Sequence, residues 1–219
     1  MGLHYYNKDL CRIRTITTFL SLTEDKTSWK KHILKASRFC AELSNTFVEN
    51  GYVVQSVRIV TNPFGEYLNT ESIESARGDL AYLSGLLNSS DLAGIRIRFA
   101  IGEARTQDEI HLLPELVKEF GDLCNVCVNV DPDDAGILDN RLIRYAADAV
   151  SYISQITPRG EGNFNFTVNF NCSPLIPYFP AGYHRKELGD GFVVGLETPD
   201  LLVEVLKEFN RNSATMAHN

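Results

Sequence analysis

Two hydrophobic periods take turns along this chain of 219 residues. Strand signals mark Cys11 to Leu22, β-branched and partly alternating, and Gly94 to Ile101, where apolar and arginine positions alternate; Tyr52 to Thr61, Leu123 to Val130 and Phe192 to Leu196 are further short strand-like runs. Between these lie stretches whose apolar residues stand three and four apart, the spacing of one helix face. The clearest sets Trp29, Ile33, Ala36, Cys40, Leu43 and Phe47 in one stripe and stops at Gly51, a C′ glycine. A second carries Ile73, Ala76, Leu80, Leu83 and Leu87. A third opens on the capping box of Thr106 and Glu109 and runs to Phe120, with Pro114 predicting a kink or break inside it. A fourth turns Leu138, Leu142, Ala146, Ala149 and Ile153 inward, and a last one starts at Pro199 after Thr198 and reaches Phe209. Residues 211–219 are small and polar and read as a flexible tail.

Alternating strands and helices are the rhythm of repeated βα units with parallel strands. The pattern predicts one α/β domain over residues 1–210, with six main strands and about five helices forming part of a barrel or an open sheet. A closed eight-stranded β/α barrel takes about 250 residues. Six strands therefore imply a barrel that is incomplete or that a partner completes.

One strand stands apart. From Asn163 to Cys172 the chain alternates strictly, with Asn163, Asn165, Thr167, Asn169 and Asn171 on one face and Phe164, Phe166, Val168, Phe170 and Cys172 on the other. Asparagine is depleted in strands because its amide competes for backbone hydrogen bonds. The face is either a polar barrel interior, whose amides bind one another, water or a ligand, or a wet outer surface. Its continuation into an aromatic, proline-rich loop ending at His184 favours the interior.

A net charge of −7, with no local run of Lys and Arg large enough to make a basic surface, argues against nucleic acid and anionic membrane as partners. Lys30 and Lys31 beside Trp29 are one solvated helical turn. The five cysteines are an odd number, scattered, in a chain without a signal-peptide pattern, which predicts a reducing, cytoplasmic setting. No apolar run approaches the roughly 18 residues of a membrane span.

In parallel βα folds ligands meet the carboxyl ends of the strands. That rule selects Thr61 and Asn62 after the second strand, Glu103 and Arg105 after the third, and Asp131, Asp133 and Asp134 after the fourth. After the fifth it selects Asn169, Asn171, Cys172 and His184, and after the sixth Glu197. Arginines inside strands are a second signal, since a guanidinium on a buried strand must be paired or must hold an anion. Arg12 and Arg14, Arg58, and Arg96 and Arg98 are so placed, and the mixed surroundings of Arg14 and Arg58 favour these two for the interior. An outer position with salt bridges is the ordinary alternative for each. The aspartates could hold a divalent cation near Asp131, but such a group is more often a turn that caps the next helix, and no cofactor or metal is predicted. Cys124 and Cys127 point to opposite faces of a strand and read as packed thiols. Cys172 with His184 could do nucleophilic chemistry, whereas nucleotide-binding and hydrolase motifs do not occur.

Three stretches carry a resemblance: RIRTIT at Arg12 to Thr17, YVVQSVRIVTNPF at Tyr52 to Phe64, and FPAGYH at Phe179 to His184. With VNVDPDDAGI at Val128 to Ile137 and GDGFVVGLE at Gly189 to Glu197 in the same order, the chain resembles the domain-of-unknown-function family seven-hundred-eleven over residues 10 to 210. That resemblance implies a pyruvate formate-lyase-like ten-stranded β/α barrel. Family members are roughly twice as long, so the chain corresponds to their amino-terminal half and is expected to expose sheet edges. A homo-oligomer or a separate carboxyl-terminal half would cover them. The glycyl-radical loop of the pyruvate formate-lyase relatives, an RVSGY-like segment, is absent from this chain, and likeness of fold transfers no mechanism.

The expectation is an enzyme-like barrel that binds a small anionic metabolite, a carboxylate or phosphate. Arg14 and Arg58 would clamp it, with Thr61, Asn62, Asn169 and Asn171 as neutral partners. Glu103, Asp131 and His184 are the acid/base candidates and Cys172 the nucleophile. The alternative is a non-catalytic binding or structural subunit, or half of a split protein.

Overall fold

Four successive crossovers lay down most of the sheet. The computed structural model describes residues 7–89 and 96–216. In chain order it contains β1 (Arg12–Leu20), α1 (Trp29–Glu49), β2 (Val57–Thr61), α2 (Ile73–Leu87), β3 (Ile97–Ala104), α3 (Gln107–Phe120), β4 (Asn125–Val130), α4 (Asn140–Ile156), β5 (Phe166–Phe170), β6 (Gly191–Glu197) and α5 (Pro199–Met216). The strands form one sheet in the order β5-β4-β3-β2-β1-β6. Neighbours from β1 to β5 are parallel. Because each crossover of a βαβ unit is right-handed and each step moves to the next position in the same direction, α1 to α4 all land on one face. The result is an α/β half-barrel, curled with its helices outside.

The outer face holds the main core. Trp29, Ile33 and Ala36 of α1, Ala76, Leu80 and Leu83 of α2, Ile110, Leu113 and Leu116 of α3, and Ala146 and Ile153 of α4 pack on Ile59, Phe99, Ile101, Val126, Val128 and Phe166 of the strands. These are the stripes the helical spacing predicts. The starts of α2, α3 and α4 also carry side-chain caps, whereas Ser28 before α1 makes no capping hydrogen bond. Ser72 accepts from Ser75 N at α2, and the reciprocal box of Thr106 and Glu109 opens α3.

The structure departs from the sequence pattern in several places. β6 runs antiparallel to β1, not parallel. No α-helix separates it from β5; residues 171–190 return across the concave face, so the chain reaches the free edge of β1 already reversed. β2 begins at Val57 rather than Tyr52, the residues before it making only an isolated bridge from Val54 to Ile13. The asparagine-rich strand is confined to Phe166–Phe170, since residues 158–164 form 3-10 turns. Of the third predicted strand, Gly94 and Ile95 lie outside the described residues. Pro114 neither splits nor ends α3: it is buried with Leu113, Leu116 and Val117, and this packing offsets the one backbone hydrogen bond that proline deletes. α5 continues past Phe209 to Met216.

A bulge near the end of β3 sets up the site. Ala100 pairs with Asn125 and Glu103 with Cys127, three residues on β3 against two on β4. The extra residue shifts the alternation, so Glu103 joins Ala100 on the concave face instead of facing the helices. Gly102 makes this turn with φ +85°, and a Cβ there would stand 2.4 Å from the Asn62 carbonyl oxygen. Gly102→Ala is expected to destabilise the chain by roughly 2 kcal/mol or more, because the neighbour is backbone and cannot yield. Gly85→Ala, in α2 with nothing within 4 Å, is expected to stabilise by up to about 1 kcal/mol. Urea unfolding of the two variants should move the midpoint in opposite directions.

Candidate functional site on the concave face

Period-two alternation and strand register stack the concave side chains in rows. Nearest the amino ends lie Thr17, Arg58 and Arg98, paired in register across β1, β2 and β3. The next row is apolar, with Phe19, Val60 and Ala100 packed against Leu175, Phe179 and Val193. Toward the carboxyl ends come Glu103, Cys127 and Thr167, then Asn129 beside Asn169. Residues 171–190 cover these rows, and Asn169 fixes them by donating to the Ala181 carbonyl at 3.0 Å.

Arg58 is 6% exposed, and its Nε has no hydrogen-bond partner. Among the described residues its guanidinium meets no carboxylate; its Cζ lies over the Phe179 ring, 4.8 Å from the centroid. Burial, then the charges of Arg98 and Arg14, lower its pKa to about 10, with Tyr178 acting weakly the other way. It therefore stays cationic at neutral pH. Arg14, expected inside, is exposed: it donates to Gln55 Oε1 and lies 3.8 Å from Glu197 Oε2. Thr17 donates to the Pro177 carbonyl at 2.8 Å, tying the covering segment down beside Arg58.

The carboxyl-end rows are charge-balanced. Glu103, 2% exposed, accepts from Arg105 Nε at 2.6 Å and from Asn129 Nδ2, and lies 3.6 Å from Arg185 Nε. Arg185 also donates to Asp131 at 3.2 Å, and Arg105 to Glu66 at 2.7 Å. Asn62 reaches the same Glu66 while bracketing both backbone groups of Leu22. The asparagines bind one another across strands, Asn165 to Asn125 at 3.2 Å and Asn169 to Asn129 at 2.8 Å.

The other candidates scatter. Thr61 faces the helices and shares a hydrogen bond with the Tyr67 hydroxyl at 2.8 Å. Asn171 is exposed, with φ +50°. Cys172 and His184 are not in contact. The Cys172 thiol sits 3.5 Å from the Phe170 carbonyl, while His184 Nε2 is 3.2 Å from Ser21 Oγ. Asp133 accepts from Ala135 N and Ile137 N and so shapes the turn, and the cap of α4 is Asp139 rather than the preceding aspartates. Among the described residues no three His, Cys, Asp or Glu side chains converge as a metal site. Burial raises the Cys124 thiol to about 12, and burial together with the Glu103 charge lifts Cys127 well above its ordinary value. Both thiols are packed and protonated.

Sequence reasoning passed over Arg185, Asn125 and Asn129, and it named Arg98 but ranked it below Arg14 and Arg58. Arg98 and Arg58 were visible as strand arginines, but only register makes them neighbours. Asn125 and Asn129 stand four apart in NVCVNV, a second amide face that the longer asparagine run eclipsed.

His184 is fully buried with Nδ1 unpartnered, and burial lowers its pKa, the charges of Asp190, Glu187 and Glu66 opposing this. Below the ordinary histidine pKa of about 6.5 the unfolded chain takes up a proton that the folded chain resists. Stability is thus full above that value and falls as pH drops from it toward the lowered folded value. Urea midpoints at pH 7.5 and 5.5 should differ more for the native chain than for His184→Gln; equal differences would show that His184 carries none of the acid sensitivity.

No helix among the described residues is long and apolar enough to cross a membrane. No curated protein matches the chain. The family model described as Uncharacterised ACR (DUF711) matches residues 5–218, nearly the whole fold including both ends of the concave face, and the chain belongs to this family.

Proposed function

We propose that the chain binds a small anionic metabolite at the amino ends of β1, β2 and β3, with Arg58 as its anchor. The supporting observation is a buried guanidinium with an unpartnered Nε and other arginines for neighbours. A buried unpaired charge costs several kcal/mol, and a desolvated cation–π contact of the Phe179 kind returns about 2 kcal/mol. A carboxylate or phosphate would remove the deficit through bidentate, charge-assisted hydrogen bonds. Glu103 and Asp131 are engaged by Arg105 and Arg185, so we assign them to holding the covering segment; no reaction is assigned. In anion-free buffer Arg58→Met should be at least as stable as the native chain, because an uncompensated charge is removed. Titrating acetate and inorganic phosphate should raise the melting temperature of the native chain and leave that of the variant in place. An equal rise in both would place the anion elsewhere.

A second reading concerns assembly and rests on α5. No described position of this helix is buried, and Leu202, Val205, Leu206 and Phe209, at helical spacing, are between 41% and 67% exposed. The helix follows β6, the free sheet edge, where Phe192 and Leu196 are also about half exposed. We infer that a second copy of the chain covers this stripe. Light scattering should give twice the chain mass, and Leu206→Glu with Phe209→Glu should halve it. A native monomer would leave the stripe to a different partner, such as a separate carboxyl-terminal half.

A further inference from the structure

The register of the arginine row narrows the class of anion, given the Arg58 site argued above. Arg58 and Arg98 are direct ladder partners on adjacent parallel strands. Their Cα atoms are therefore about 4.8 Å apart and their side chains leave the same face. Like charges set side by side this way destabilise a sheet, and among the described residues no acidic side chain pairs with either. Arg98 is exposed and, among the described residues, makes no hydrogen bond or ion pair, so its guanidinium can swing toward its neighbour. Arg14 supplies a third positive charge close enough to lower the Arg58 pKa, although Glu197 partly offsets it.

A monocarboxylate answers half of this. Its two oxygens take one guanidinium fork, leaving the second arginine uncompensated beside it. A phosphate monoester carries up to two negative charges and three terminal oxygens on a single tetrahedral centre. It can present oxygens to both forks at once across the narrow spacing of two neighbouring strands. Phe179, whose ring centroid lies 4.8 Å from Arg58 Cζ, and the part-exposed Tyr178 ring next to it in the chain would flank the carbon side of the ester.

We propose that the anion is a phosphate monoester, gripped jointly by Arg58 and Arg98, with Phe179 and Tyr178 beside its organic group. Arg98 is then the residue that sets phosphate over carboxylate.

The experiment is calorimetric titration of the full chain with methyl phosphate, acetate and malonate, for the native sequence and for Arg98→Met. Arg98 is exposed, so the substitution leaves the core intact. The native chain is expected to bind methyl phosphate at least about tenfold more tightly than either carboxylate. Arg98→Met is expected to lose that preference while keeping its weak affinity for acetate through Arg58. Its urea midpoint in anion-free buffer should not fall, because a repulsion has been removed. Equal native affinities for methyl phosphate and acetate would overturn the phosphate assignment and leave the Arg58 anion site standing. So would tighter binding of malonate, or an Arg98→Met variant that weakens all three anions alike. Binding of none of the three would remove both.

Discussion

The handedness of four consecutive crossovers governs everything on the concave side. Since β1 to β5 advance across the sheet in one direction, α1 to α4 are confined to the outer face and cannot shield the inner one. Six strands do not close, so the inner face must be covered by something other than a helix or by sheet closing on itself. Residues 171–190 do this work, and each of their attachments is polar where the strands offer polar groups: Pro177 to Thr17, Ala181 to Asn169, Arg185 to Glu103 and Asp131. Between these attachments Leu175 and Phe179 sit on Phe19, Val60 and Ala100. The same segment also delivers β6 to the edge of β1 in the antiparallel sense, so a single stretch of chain fills the interior and sets the last pairing.

Charge on this face is separated by row. At the carboxyl ends Glu103, Asp131 and Glu66 meet Arg105, Arg185 and Lys186, and the ionic groups compensate one another. At the amino ends, past the apolar row, Glu197 and Asp200 serve Arg12 and Arg14, and among the described residues no acid pairs with Arg58 or Arg98. Were the bulge at Gly102 removed, Glu103 would turn toward the helices and the carboxyl-end network would lose the carboxylate shared by Arg105 and Arg185. The bulge leaves the arginine row untouched, because it lies beyond Ala100 in β3. The two ends are thus independently specified, one by a backbone irregularity and one by plain alternation.

How far the sequence reveals this depends on whether a feature is local. Helix stripes such as Trp29 to Phe47 were legible because burial on one sheet face imposes a period that runs unbroken for several turns. The amide face of β5 was legible for the same reason, although its partners Asn125 and Asn129, forty residues away, depend on pairing that no local pattern encodes. The direction of β6 had a signal in the lack of helical spacing through residues 171–190, which leaves no element to make a parallel crossover. Gly102 gave no such signal, since a glycine near a strand end reads equally as a turn. Arg14 and Arg98 could not be ranked from their surroundings in the chain: the register of β2 against β3 makes Arg98 the neighbour of Arg58, and a short pairing with Gln55 at the strand start draws Arg14 outward.

The amino-end position of the arginines runs against the habit of parallel βα folds, which bind ligands at the carboxyl ends of their strands. Part of that habit is electrostatic. Helices following the strands point their amino termini, with free N–H groups and a partial positive charge, toward the carboxyl-end loops, where anions can use them. At the opposite end the same helices present carbonyl groups and a partial negative charge. An anion held there can take nothing from the backbone dipoles and has to be met by formal charge on side chains. A glycine-rich phosphate loop would be of no use at that end, and the chain has none. A row of arginines drawn from adjacent strands, one of them buried with no ion pair among the described residues, is the arrangement that such a position requires.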